Sequence, residues 1–149
     1  MRTRREQPIG LKLQILAHTP HVEALIATAV LTTTSGAKPS TLFDRLLDDP
    51  KRVEGIVGRL ESHHGSVLEH NRLCWLVGGS EGEVLRILLR SRFIDVSKLG
   101  DSSWLMSCNL RTAIEISEGT GDLAEFLFEY VRAVAPTLHD CLKGRSREG

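Results

Sequence analysis

Between Leu60 and His70 the chain reads LESHHGSVLEH, with three histidines and two glutamates in eleven residues beside Gly65 and Ser66. Imidazoles and carboxylates can ligate metal, move protons or activate a nucleophile, so three chemistries come into question. A metal needs converging donors. His63 and His64 are adjacent, which on a helix turns them about 100° apart. His64 and His70 converge only across a turn, and HHxxxxEH is not a metal-ligand spacing, so no metal is expected. A nucleophile needs a base and an exposed elbow. Ser66 and His70 have i, i+4 spacing, but no strand–turn–helix pattern surrounds the serine. A ligand pocket and a solvated helix end remain, and the segment alone does not choose between them.

Composition narrows what such a segment can serve. The 149 residues suit one domain, and 41% apolar with 26% charged residues is a globular balance. Formal net charge is zero, which argues against a broad duplex nucleic-acid surface but leaves single arginines to hold a phosphate. Cys74, Cys108 and Cys141 lie far apart with no CxxC spacing. A disulfide framework or zinc knuckle is therefore not expected, and a reducing cytoplasm is. The basic start MRTRREQPIG precedes no apolar run of the signal-peptide kind, and no stretch reaches the roughly 18 apolar residues of a membrane span. The domain is expected over residues 10–143, with residues 1–9 and 144–149 as tails.

The elements that must position the segment follow from periodicity and caps. LKLQIL (Leu11 to Leu16) predicts a strand, and Thr19-Pro20 a helix start with Thr19 as N-cap and Val22, Leu25, Ile26, Ala29 and Val30 on one face. Leu42, Phe43, Leu46 and Leu47 predict a short helix. Asp49-Pro50 caps another, whose face is Val53, Ile56, Val57 and Leu60 and which ends at the histidines. Arg72 to Gly79 predicts a buried strand. Ser80 to Glu83 forms a capping box for a helix through Leu89 that ends near RSR. FIDVSKLGDSS is either a short strand and turn or an irregular loop. Trp104 to Ile116 is expected to be helical. Asp122 opens a last helix that Pro136 ends or kinks. The class is α+β, a helix-rich single domain with a small mixed sheet.

In this order, HGSVLEH, an apolar strand with two glycines, a helix closing in LLRSRF, and SWLMSCNLR resemble the flavin-dependent thymidylate synthase (ThyX) family. The resemblance runs from about Leu11 to Leu142, and SVLEH is its most specific piece. It implies a homotetramer with ligand sites between subunits, FAD reduced by NADPH, and methylation of dUMP at C5 with methylenetetrahydrofolate. No protein nucleophile attacks the pyrimidine in such a scheme; the protein binds, orients and supplies electrostatics. By match, His64 lies at the flavin, with Ser66, Glu69 and His70 in the accompanying turn. The RHR signature falls on Arg90, Ser91 and Arg92. Asn109 and Arg111 match the later NxR. The resemblance thus assigns flavin contacts to His64, Ser66, Arg90, Arg92, Asn109 and Arg111, and nucleotide contacts to Arg90 and Arg111.

The departures bear on the chemistry. In RHRxxSxNxxSxR the slots after Arg92 hold Asp95, Ser97, Gly100 and Ser102, and the final arginine is absent. The family's glutamine falls on Ile87. A nucleoside monophosphate carries nearly two negative charges, and each charge-assisted hydrogen bond lost costs ~1.5–3 kcal/mol. Two readings follow. One is a divergent thymidylate synthase. The other is a non-catalytic paralogue that keeps the fold and oligomer and binds a flavin or nucleotide. The broken signature favours the second.

Overall fold

The computed structural model describes residues 10–145, leaving aside the side chains of residues 62–64 and 145. Residues 1–9 and 146–149, read above as tail, lie outside it. The element order is β1 (Lys12–His18), α1 (Val22–Thr32), α2 (Pro39–Leu47), α3 (Pro50–Val57), a 3-10 helix (Ser62–Leu68), β2 (Arg72–Gly78), α4 (Glu81–Leu88), β3 (Asp95–Lys98), β4 (Ser103–Asn109), α5 (Leu110–Ser117), α6 (Asp122–Val134) and α7 (Pro136–Arg145).

The sheet order is β1-β2-β4-β3, and every neighbouring pair is antiparallel, so the expected mixed sheet is corrected to an antiparallel one. Its centre is the β2–β4 ladder, where Leu73 faces Cys108, Trp75 faces Met106 and Val77 faces Trp104. Those residues alternate with half-buried ones and join a single core with Ile26, Leu46, Val57, Leu110, Leu123 and Leu127. The alternation places one sheet face against the helices and leaves the other to solvent, as antiparallel sheets allow.

Several elements form for the reasons their residues suggest. Asp49 caps α3 by accepting from Arg52 N at 3.2 Å. Ser80 and Glu83 close a reciprocal capping box on α4. Pro136 occupies the first position of a separate helix, α7, where its missing N–H costs nothing.

Three further expectations are overturned. The helix capped by Asp49 ends at Val57, short of the histidine segment, which forms the separate 3-10 helix. Thr19 does not cap α1. Its N–H donates to Arg72 O at 2.9 Å and its hydroxyl accepts from Arg72 N at 3.0 Å, which prolongs the β1–β2 pairing. The helix begins instead after His21, which takes a left-handed conformation with φ 55°. The stretch Trp104 to Ile116 is not one helix: Ser103–Asn109 is β4, and α5 begins at Leu110. Trp104, Met106 and Cys108 are buried at every second position, the period of a strand. Leu105 between them gives the stretch apolar residues on both faces, which masked that period.

Candidate functional site

The start of α5 and the 3-10 helix meet. Asn109 ends β4 and caps α5, its side-chain oxygen accepting from Thr112 N at 2.9 Å, while Leu110 N donates to Asn71 O at 2.8 Å. This fixes the first turn, from which Arg111 projects. Its Nη1 donates to Glu69 Oε1 at 2.7 Å, and its Nε lies 3.7 Å from Glu115 Oε1 one turn along the helix. A β-carbon on Gly65 would lie 3.0 Å from the Arg111 guanidinium, so a residue without one lets the turn pass close to that group. The sequence match therefore assembles in part: Gly65, Glu69, Asn109 and Arg111 form one neighbourhood.

Other expected members fare differently. The backbone of His64 belongs to the 3-10 helix, but its side chain lies outside the described residues. Ser66 is exposed on the same helix, and its carbonyl accepts from Glu69 N at 3.2 Å. His70 falls beyond that helix and is exposed, so Ser66 and His70 share no α-helical face. Among the described residues no group of histidines, cysteines and carboxylates is arranged to hold a metal.

At the end of α4, Arg90 and Arg92 part company. Arg90 lines a cleft of about 400 Å³ with Ser91, Glu115 and Thr120. It also lines a cleft of about 530 Å³ with Arg86, Ile87, Leu11 and Asp122. Arg92 lines neither and lies over the exposed Phe93 ring, 4.9 Å from its centroid. Ser91, in the histidine slot of the signature, accepts from Phe93 N at 3.1 Å and shapes the turn. Ile87, in the glutamine slot, is 4% exposed and belongs to the core.

Charge pairing decides which cations are available. Arg72 donates to Asp95 at 2.8 Å and Arg111 is flanked by two carboxylates. Asp95 thus consumes Arg72. No carboxylate among the described residues lies within ion-pair distance of Arg86, on α4, or Arg90, in the turn that follows it; the two share the larger cleft with Glu83 and Asp122. Arg86 lies outside the matched signature, and the signal that finds it is its i, i+4 spacing to Arg90. Burial pushes the Cys108 thiol up to about 12, so it is no thiolate nucleophile near neutral pH.

No family model matches the chain, and no curated protein does. Solved structures do match. The UMP/dUMP methylase PolB from Streptomyces cacaoi bound with 5-Br dUMP superposes at a TM-score of 0.69, with 13% identity over 90% of this chain and 95% of that one. The same methylase bound with 5-Br UMP gives 0.61, also at 13% identity, over 90% and 94%. Over nearly its whole length, then, this chain has the fold of a UMP/dUMP methylase.

Proposed function

We propose that this chain binds a pyrimidine nucleoside monophosphate in the cleft between α4 and the start of α6 and does not convert dUMP to dTMP at a useful rate. The shared fold with a UMP/dUMP methylase supports the ligand class. The observation that carries the reading is the pairing of the cations. Arg86 and Arg90, which have no carboxylate within ion-pair distance among the described residues, share a cleft with Glu83 and Asp122 that is large enough for a small ligand. Their guanidiniums would hold the phosphoryl oxygens. The same geometry speaks against turnover. Ile87 offers no hydrogen bond where the family pattern has an amide, and Arg72 is held by Asp95. A substrate held by fewer contacts is oriented loosely, and orientation is worth several powers of ten in rate.

FAD would supply hydride and one-carbon transfer chemistry. Within one chain the residues do not fit the whole dinucleotide: Arg111 is flanked by Glu69 and Glu115, the Asn109 carbonyl caps α5, and Arg92 lies over Phe93. Ser66 and Arg90 retain the chemistry for part of its pyrophosphate. The proposal therefore includes a homo-oligomer, tetrameric as the resemblance implies, in which a second copy completes any flavin site and NADPH is the reductant. A reducing, cytoplasmic setting is part of the proposal; no helix among the described residues is long and apolar enough to cross a membrane.

The test of turnover is tritium release from C5 of dUMP with FAD, NADPH and methylenetetrahydrofolate present. Release far below ~1 s⁻¹, the low end of ordinary enzyme turnover, is expected. Turnover at or above that rate would show that the missing groups are dispensable or come from a neighbouring subunit.

A further inference from the structure

Large apolar side chains at the surface are unevenly placed. Of the seven exposed among the described residues, five lie within one short stretch: Leu85, Leu89, Phe93, Val96 and Leu99. Scattered exposed leucines need no partner, whereas a concentration of them marks a surface that another molecule covers. The stretch comprises α4, β3 and the chain that joins and follows them. Glu81, Leu85 and Leu89 stand at i, i+4 and i+8. Leu89 keeps the right-handed helical conformation at the end of α4, so the three form one ridge. Lys98 Nζ donates to Glu81 Oε1 at 2.7 Å, which sets β3 beside the start of that ridge. Val96 stands opposite the buried Met106 and so points to the helix side of the sheet, yet it is 36% exposed, and α4 leaves it uncovered. β3 also ends the sheet, with its outer edge open.

Charge identifies the occupant. The ridge is acidic at its start, at Glu81, and basic just past its end, at Arg92; both side chains are exposed. A membrane surface would select one sign of charge. A second copy of the same ridge, turned end for end about a two-fold axis, sets the acidic start of each copy against the basic end of the other. It also opposes the two helix dipoles. Leu85 of each copy then meets Leu89 of the other. We infer that α4 and β3 form a two-fold interface between copies of this chain, with antiparallel α4 ridges, an apolar centre at Leu85 and Leu89, and Glu81 of each copy facing Arg92 of the other. This names the contact surface of the homo-oligomer proposed above and rests on that part of the reading.

The experiment is sedimentation velocity of the full chain across micromolar concentrations. Expected is a self-association that Leu89→Glu weakens by about thirtyfold or more, the level of an interface hot spot. Glu81→Arg and Arg92→Glu should each weaken it. Their equimolar mixture should restore it, because the exchanged charges are complementary only between the two variants. Leu89 is at the surface of a single chain, so its replacement leaves the unfolding of dilute, monomeric protein unchanged. A monomeric wild type, an oligomer indifferent to Leu89→Glu, or a mixture that associates no better than either charge variant alone would overturn the inference. Calorimetry with dUMP on the same wild-type sample reads the nucleotide proposal separately: a monomer that binds dUMP sinks the interface alone.

Discussion

The start of α5 and the end of α4 carry the same kinds of residue and treat them in opposite ways. At α5, Asn109 caps the helix, Leu110 is 1% exposed, and Arg111 is paired to carboxylates from two elements. At α4, Leu89 is 87% exposed, and Arg90 and Arg92 follow in a turn held by Ser91. The first region is built and its cation is spent. The second carries its leucine in solvent, and no carboxylate among the described residues lies within ion-pair distance of Arg90. A guanidinium already paired in the free protein has less to give a ligand, because binding must first break or share that pair. Availability, more than the presence of an arginine at the matched position, therefore points to where a phosphate would be held.

The widest separation between the regions is expected in stability. Leu110→Ala should cost ~2–5 kcal/mol, the range for emptying a buried leucine site, whereas Leu89→Ala should stay within ~0.5 kcal/mol as surface changes do. Urea denaturation of both variants measures this. Similar midpoints would erase the contrast.

A smaller effect is expected at the cap. Asn109→Ala leaves Thr112 N without its partner and should cost ~1 kcal/mol, against a few tenths for Ser91→Ala, whose turn N–H can reach water. Glu69→Ala should change stability by less than ~1 kcal/mol, since the Glu69–Arg111 pair is about half exposed. It should instead free Arg111. Tighter binding of dUMP by Glu69→Ala, read by calorimetry, would sharpen the idea of a spent cation, and weaker binding would show that the pair positions Arg111 for the ligand.

Glu23 extends the contrast to a half-buried carboxylate with one sealed oxygen. Its Oε1 accepts from Thr137 N at 3.1 Å, serving the first turn of α7, while Oε2 is buried with no hydrogen-bond partner among the described residues. Burial raises its pKa above the usual carboxylate value. The native state thus holds this proton more tightly than the unfolded chain. The associated stability is fully present below the unfolded pKa of about 4.3 and is lost as pH rises through the raised native value. Glu23→Gln keeps an acceptor for Thr137 and cannot titrate. The stability of the wild type relative to this variant should fall between pH 4 and pH 7 in denaturation series, and a flat or rising difference would contradict the burial argument.

Legibility in the sequence followed the range of the interaction. The capping box at Ser80 and Glu83 and the Asp49 cap span three residues and were readable. Thr19 looks like a cap by the same local logic, but its partner Arg72 is 53 residues away and captures it for the sheet. β4 read as helix because Leu105 fills an outward position with an apolar side chain, leaving strand and helix periods equally plausible. At the site, Arg111 with Glu115 is a local i, i+4 pair, whereas Glu69 lies 42 residues off in a different element. The commitment of Arg72 to Asp95 likewise depends on the β2–β4–β3 order. The signature residues are local in sequence, whereas the ion pairs that engage Arg72 and Arg111 with Asp95 and Glu69 depend on the tertiary fold.

The most direct test of the central claim is a calorimetric titration of the wild type and Arg90→Ala with dUMP and with deoxyuridine. The account predicts that the wild type binds dUMP more tightly than deoxyuridine, because the phosphate meets unclaimed guanidiniums. It further predicts that Arg90→Ala narrows that gap by ~1.5–3 kcal/mol, the worth of one charge-assisted contact. Equal affinity for the two ligands, or a gap that Arg90→Ala leaves unchanged, would contradict it.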